Sequence, residues 1–88
     1  MNLFNNKVGP EGGVAIGKAL AVNGVLTVLN LCNNKIRDAG AAAIAEALRG
    51  NAVLKNLDLR ENEIGDEGAK AIGGALAVNE VLTSLDVG

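Results

Sequence analysis

One stretch of the sequence matches most of a phosphate-binding loop. Residues 12–18 read GGVAIGK, which fits the spacing G-x-x-x-x-G-K. The next residue is Ala19, so the hydroxyl that would bind Mg²⁺ is absent. The repeat pattern described below also places this stretch within a helix, whereas a phosphate-binding loop follows a strand. We therefore expect no nucleotide site here.

Other side chains that could support chemistry are few. The hydroxyl side chains are Thr27, Thr83 and Ser84, and the chain has no histidine to activate them. Cys32 is the single cysteine, so the chain can form neither an intramolecular disulfide nor a zinc site of Cys and His ligands. The ten carboxylates leave acid–base chemistry by paired acids formally open. We predict a non-enzymatic protein with no cofactor and no metal site.

Composition restricts the partner and the compartment. A net charge of −2, from 8 basic and 10 acidic residues, argues against a protein that binds nucleic acid by neutralising phosphates. The longest uninterrupted apolar stretch is Ala41–Ala45, which is far too short to span a membrane. The single cysteine and the absence of a start resembling a signal peptide favour a reducing, cytoplasmic setting. We therefore predict no nucleic-acid partner and no membrane partner.

The chain repeats itself every 28 residues. Residues 25–52 and 53–80 align without gaps, and half of their positions are identical. Residues 1–24 fit the same register, and residues 81–88 begin another unit. With 88 residues, these units predict one small repeat domain over residues 1–88, made of a partial unit, two complete units and a second partial unit.

Each complete unit has two halves with different periods. Leu26, Leu29 and Leu31 end in the alternation of a strand that is buried on one face. From Ile36 to Leu48 the apolar residues recur at spacings of three and four, which predicts a helix. The helices are expected to begin with Pro10 or with acidic residues. They are expected to end in a left-handed cap at the equivalent asparagines, which are Asn23, Asn51 and Asn79.

The strand pattern also decides how the units pack. Polar Asn30 and Asp58 lie between the strand leucines, so one face of the sheet is exposed to water. All helices must then cover the other face, and the units coil as a right-handed solenoid. The predicted fold class is α/β, with a short parallel sheet on the concave side and helices on the convex side.

The spacing L-x-x-L-x-L-x-x-N-x-I resembles the leucine-rich repeat. It is present from Leu26 to Ile36 and again from Leu54 to Ile64. The 28-residue period with a full helix resembles the ribonuclease-inhibitor-like subfamily, which includes Ran GTPase-activating proteins and the C-terminal arrays of NOD-like receptors. The resemblance implies a structural asparagine ladder that stacks inside the repeats, and the ladder residues would be Asn6, Asn34 and Asn62.

Alternation along the strands predicts the residues of the concave face. The candidates for binding a protein partner are Phe4, Val28, Asn30, Cys32, Asn56, Asp58 and Arg60. Phe4, Cys32 and Arg60 occupy equivalent positions and should lie side by side, where an aromatic ring and a guanidinium group suit recognition. The face measures only about 15 Å by 15 Å, which is small for a stable interface.

The first and last units show no polar capping segment, although solenoids normally have one. We expect either a fragment of a longer repeat array or a head-to-tail homo-oligomer. Residues 1–52 carry a net charge of +2 and residues 53–88 a net charge of −4, which favours head-to-tail contact.

The predicted function is that of a protein–protein interaction scaffold. One alternative is a GTPase-activating repeat protein that acts through the rim around Arg37 and Arg60. A second alternative is a self-assembling structural unit.

Overall fold

Helices and short strands alternate along the chain. The computed structural model describes residues 1–87. Its elements are α1 (Gly9–Val22), β1 (Val28–Asn30), α2 (Arg37–Gly50), β2 (Asn56–Asp58), α3 (Asp66–Leu76) and β3 (Ser84–Asp86). This order is the one that the sequence pattern predicts.

The strands form one parallel sheet in the order β1-β2-β3. Leu29 lies opposite Leu57, and Leu57 lies opposite Leu85, so the sheet register equals the 28-residue repeat. The repeat register predicts a strand at residues 1–4, but these residues make a single parallel bridge between Asn2 and Asn30. The solenoid fold is therefore confirmed, with a shorter pairing in the first row.

The core lies between the sheet and the helices. The strand leucines Leu29 and Leu57 are buried, and so are Ile44 and Leu48 on the inner side of α2. Each helix also packs on the helix of the adjacent unit, α1 on α2 and α2 on α3. A strand and a helix thus bury their apolar sides against equivalent residues of the adjacent units, as repeat proteins do.

The helix starts show one interaction that the sequence analysis missed. Pro10 lies in the first turn of α1, as predicted. Asp38 lies in the first turn of α2, but its Oδ1 accepts hydrogen bonds from the backbone N–H groups of Gly65 (2.6 Å) and Gly68 (3.1 Å). One unit therefore caps the helix of the next unit, because the helix starts stack side by side.

The prediction of left-handed asparagine caps is wrong. Asn23 and Asn51 follow their helices in an extended conformation, with ψ of 123° and 121°. Their side chains hold the chain as it returns to the sheet: Asn51 Oδ1 accepts the N–H groups of Val53 and Leu54. Asn51 Nδ2 donates to the Leu20 carbonyl of the preceding helix at 2.9 Å. These asparagines form a second ladder, since hydrogen bonds between units satisfy buried backbone groups.

The stretch that resembles a phosphate-binding loop lies within α1, as predicted. Gly17 approaches α2 so closely that a Cβ atom there would lie 2.8 Å from the Ala43 carbonyl carbon. This glycine therefore serves helix packing. Within residues 1–87, the helices are too short and too polar to cross a membrane.

Candidate functional site

The exposed side of the sheet is the candidate binding surface, and we call it the open face. It consists of three columns of side chains that run across the strands. The first column holds Val28, Asn56 and Ser84, the second holds Asn2, Asn30, Asp58 and Asp86, and the third holds Phe4, Cys32 and Arg60. All seven predicted binding residues lie in these columns, because side chains alternate along each strand and each repeat keeps the same register.

The second column has a structural task that the sequence analysis did not identify. Asn2, Asn30 and Asp58 each accept a hydrogen bond from the backbone N–H two residues further on, at 2.9–3.0 Å. Such side-chain turns end a strand and lead the chain toward the helix. One oxygen of each of these three side chains is therefore occupied, and Asp58 Oδ2 also accepts a hydrogen bond from Arg60.

Arg60 is held in place by two carboxylates. Its Nε and Nη2 atoms donate to both oxygens of Asp58 at 2.8–3.2 Å, and Nε lies 3.5 Å from Asp86 Oδ2. The hydrogen bond from Arg60 lowers the pKa of Asp58, and Asp58 together with Asp86 raises the pKa of Arg60. The guanidinium group is thus oriented before any partner arrives, while about half of the Arg60 side chain (51%) remains exposed.

Cys32 is only 5% exposed, although alternation along the strand places it on the open face. Its Sγ donates to Glu61 Oε2 at 3.6 Å. Burial raises the pKa of the Cys32 thiol, and the neighbouring carboxylates of Asp58 and Glu61 raise it further. The thiol is therefore kept protonated and forms the floor of the third column.

The third column forms a groove of ≈ 360 Å³ lined by Phe4, Cys32, Arg60 and Glu61. The structure therefore brings together the three residues that the sequence placed side by side, and adds Glu61 from the turn after β2. Phe4 is 52% exposed although it is the one aromatic residue of the chain. An exposed ring next to an oriented guanidinium group offers both apolar and charged contacts.

The first column borders a smaller groove of ≈ 270 Å³ over the middle of the sheet. Val28 is half-exposed, while Asn56 and Ser84 are exposed polar residues beside it. None of these three side chains has a hydrogen bond or ion pair within residues 1–87. Because no internal interaction must be broken, these side chains can contact a partner at little cost.

The asparagines of the predicted ladder join consecutive units. Asn62 Oδ1 accepts the N–H of Asn34 at 2.8 Å, and Asn34 Oδ1 accepts the N–H of Asn6 at 2.7 Å. Asn34 and Asn62 are buried, and their amides donate to main-chain carbonyls, including Leu3 and Leu31 of the preceding unit. Asn6 is exposed, and its amide donates only to the Phe4 carbonyl at 3.3 Å.

The open face combines an oriented cation, an exposed ring and uncommitted polar groups, which suits contact with a protein surface. In residues 1–87 the potential metal-ligating side chains do not gather into a group of three or more. The roles of Asn30 and Asp58 in turns could have been predicted, because Asn or Asp occupies the same position in consecutive units.

The comparisons with known proteins agree with this architecture. A family model described as "Leucine Rich repeat" matches residues 2–17, 22–45 and 50–73. A solved structure titled "Leiomodin-1 Actin-Binding Site 2 (ABS2)" superposes with a TM-score of 0.91 at 35% sequence identity. The match covers 97% of this chain but only 50% of that chain.

Comparison with curated proteins finds no match. The family model covers most of the chain and follows its three consecutive units, and the solved structure shares the same fold. The chain belongs to the leucine-rich repeat family.

Proposed function

We propose that this chain is a non-enzymatic protein-binding scaffold that uses the open face of its sheet. The observation that carries the proposal is the first column, where the side chains of Val28, Asn56 and Ser84 are exposed and make no hydrogen bond or ion pair within residues 1–87. Beside this column, Phe4 and the oriented Arg60 supply the residue types that dominate protein interfaces.

We propose actin as the first partner to test. The solved structure with the same fold is titled as an actin-binding site of leiomodin-1, and the 35% identity extends over nearly the whole of this chain. This chain spans half of the length of that structure, and its face is small. We therefore propose that it acts within a longer repeat array and binds weakly on its own.

The test measures binding of labelled monomeric actin to the purified chain by microscale thermophoresis. Val28→Ala and Phe4→Ala should weaken binding, while Val22→Ala serves as a matched control. Val22 is also an exposed valine, but it lies at the end of α1, away from the sheet. Actin binding that is lost equally in Val22→Ala and Val28→Ala would contradict use of the open face.

If the chain does not bind actin at all, actin is refuted as the partner. Hydrogen exchange in the presence of other candidate proteins then tests the face itself, because a bound partner should protect β1 and β2. A GTP-hydrolysis assay with small GTPases tests the GTPase-activating alternative, for which Arg37 and Arg60 are the candidate arginines.

A head-to-tail homo-oligomer is the second candidate. It is supported by the charge gradient along the solenoid, from +2 in residues 1–52 to −4 in residues 53–88. Light scattering after size exclusion over a range of protein and salt concentrations tests this. A constant monomer mass at low salt would contradict the oligomer.

Two further assignments belong to this proposal. Membership of the ribonuclease-inhibitor-like subfamily is supported by the 28-residue sheet register and by two helices of 14 residues each. A cytoplasmic location is supported by the single buried cysteine, which suits a reducing compartment. Localisation of the tagged protein in cells tests the second assignment.

A further inference from the structure

Three cations lie together where the strands turn into the helices of the first two units. Lys7 and Lys35 occupy equivalent positions in adjacent units. The residues on either side of Lys7, Asn6 and Val8, donate their backbone N–H groups to the Oδ1 of Asn34, which immediately precedes Lys35. Arg37 follows Lys35 by two residues, and all three side chains are exposed. We call Lys7, Lys35 and Arg37 the basic edge. It is separate from the open face, whose residues precede it along the chain.

The backbone of the basic edge is strained. Lys7, Lys35 and Arg37 have φ of 54°, 55° and 59°, in the left-handed region that residues with a side chain rarely adopt. Glu63, which is equivalent to Lys7 and Lys35, has φ of 56°, so at that position the left-handed turn is common to all three units. The position of Arg37 is glycine in the other two units: Gly9 has φ of 74°, and Gly65 is extended with φ of −95°. A glycine at position 37 would adopt the observed conformation without this cost.

Internal contacts do not account for an arginine at position 37. Its Nε lies 3.4 Å from Glu63 Oε2, and both side chains are more than half exposed. An exposed ion pair of this kind contributes little to stability. Lys7 and Lys35 have no ion pair in the described part of the chain. At position 37, therefore, strain is kept at an exposed residue whose ion pair adds little to stability, which points to a functional role of the Arg37 guanidinium group.

The charges change sign in the third row. The residue equivalent to Lys7 and Lys35 is Glu63, and Glu61, Asp66 and Glu67 lie close to it in the sequence. A long polyanion such as a nucleic acid would therefore extend from the basic edge into a repulsive region. Two rows stacked about 4.8 Å apart accommodate a segment of roughly two to four extended residues. This length fits a short acidic stretch of a protein.

We propose that the basic edge is a second interaction surface, which binds a short acidic segment of a partner protein. The lysines supply point charges, and Arg37 supplies a planar fork for a carboxylate. The acidic third row restricts the site to a short segment and sets its direction, because cationic residues that follow the acidic stretch would face Glu61 and Glu63.

The test uses a fluorescein-labelled tetraglutamate peptide, which matches the length of the site, and fluorescence anisotropy at low and at physiological salt. Each of Lys7→Gln, Lys35→Gln and Arg37→Gly should weaken binding about 1.5- to 5-fold, and the triple variant at least about threefold. Glu63→Lys should tighten binding, because it continues the basic edge into the third row. Lys18→Gln is the matched control, since Lys18 is an exposed lysine of α1 in the groove between the helices.

The thermal melt separates a binding role from a structural role. Arg37→Gly should melt no lower than the wild type, because it relieves strain while removing the guanidinium group. A lower melting temperature for this variant, or a loss of peptide binding in Lys18→Gln as large as in the triple variant, would overturn the proposal. Unchanged peptide binding in Phe4→Ala would show that this site is independent of the open face, whereas equal loss would contradict a second surface.

A single-stranded oligonucleotide provides the competing outcome. If it binds the same residues more tightly than the peptide, the assignment to an acidic protein segment is wrong. Weaker binding of the oligonucleotide at equal charge and equal salt supports the proposal.

Discussion

Replacing Asn62 with alanine should remove a large part of the stability of this small solenoid. Asn62 is 2% exposed, and its side chain joins two units. Its Oδ1 accepts the N–H groups of Asn34 and Ile36 at 2.8 and 3.3 Å, and its Nδ2 donates to the carbonyls of Leu31, Leu59 and Arg60 at 2.8–3.1 Å.

The cost follows from the groups that lose their partner. The carbonyls of Leu31 and Arg60 each accept a second hydrogen bond, from Asn34 Nδ2 and from the Asn33 N–H. The N–H groups of Asn34 and Ile36 and the Leu59 carbonyl have no other partner within residues 1–87.

Each buried polar group left without a partner costs about 1–3 kcal/mol. For the three groups without another partner, a water molecule in the vacated space would recover part of this cost. We therefore expect the free energy of unfolding to fall by about 3 kcal/mol. A domain of this size is stable by only about 4–13 kcal/mol.

The assay is urea unfolding followed by circular dichroism, with Asn6→Ala as the matched control. Asn6 is the equivalent residue of the first unit, but it is exposed and donates one hydrogen bond of 3.3 Å. We expect Asn6→Ala to cost less than about 0.5 kcal/mol. Equal losses for Asn6→Ala and Asn62→Ala would refute the reasoning, because burial and the contacts between units would then not determine the cost.

Three further predictions concern the apolar core, the ion pair between Asp58 and Arg60, and the Cys32 thiol. Leu57→Ala should lower the free energy of unfolding by about 2–5 kcal/mol, whereas Leu76→Ala, at an exposed leucine, should cost less in the same urea titration. Because Arg60 lowers the pKa of Asp58, the pair stabilises the fold above the ordinary carboxyl pKa of about 3.9 and loses this contribution as the pH falls through the lower folded-state value. Asp58→Asn, which keeps the turn-forming oxygen, should cost less than about 1 kcal/mol at pH 7, and the difference from wild type should vanish in acid unfolding curves; a difference that persists in acid would contradict this. Cys32 should react slowly with iodoacetamide at pH 8 and rapidly in urea, and a fast reaction in the folded protein would show that burial does not keep the thiol protonated.

Periodicity determined the fold at the level of the sequence. A buried leucine at every second strand position and a helical stripe can hide their apolar sides only against equivalent residues of the next unit. This requirement sets the parallel order of β1, β2 and β3 and the 28-residue register, and it aligns Phe4, Cys32 and Arg60 in one column. These relations depend on which residues repeat, so they can be read without coordinates.

The contacts between units were decided only by the tertiary structure. Sequence alone suggested a left-handed cap at Asn51, but the residue is extended because its amide reaches Leu20 in the preceding helix. Likewise, the burial of Cys32 and the pairing of Arg60 with both Asp58 and Asp86 arise from side chains of different units that stack at the distance between strands. A local pattern specifies the conformation that a segment prefers by itself. Packing specifies which polar group of another unit forms a hydrogen bond with each buried polar group of that segment.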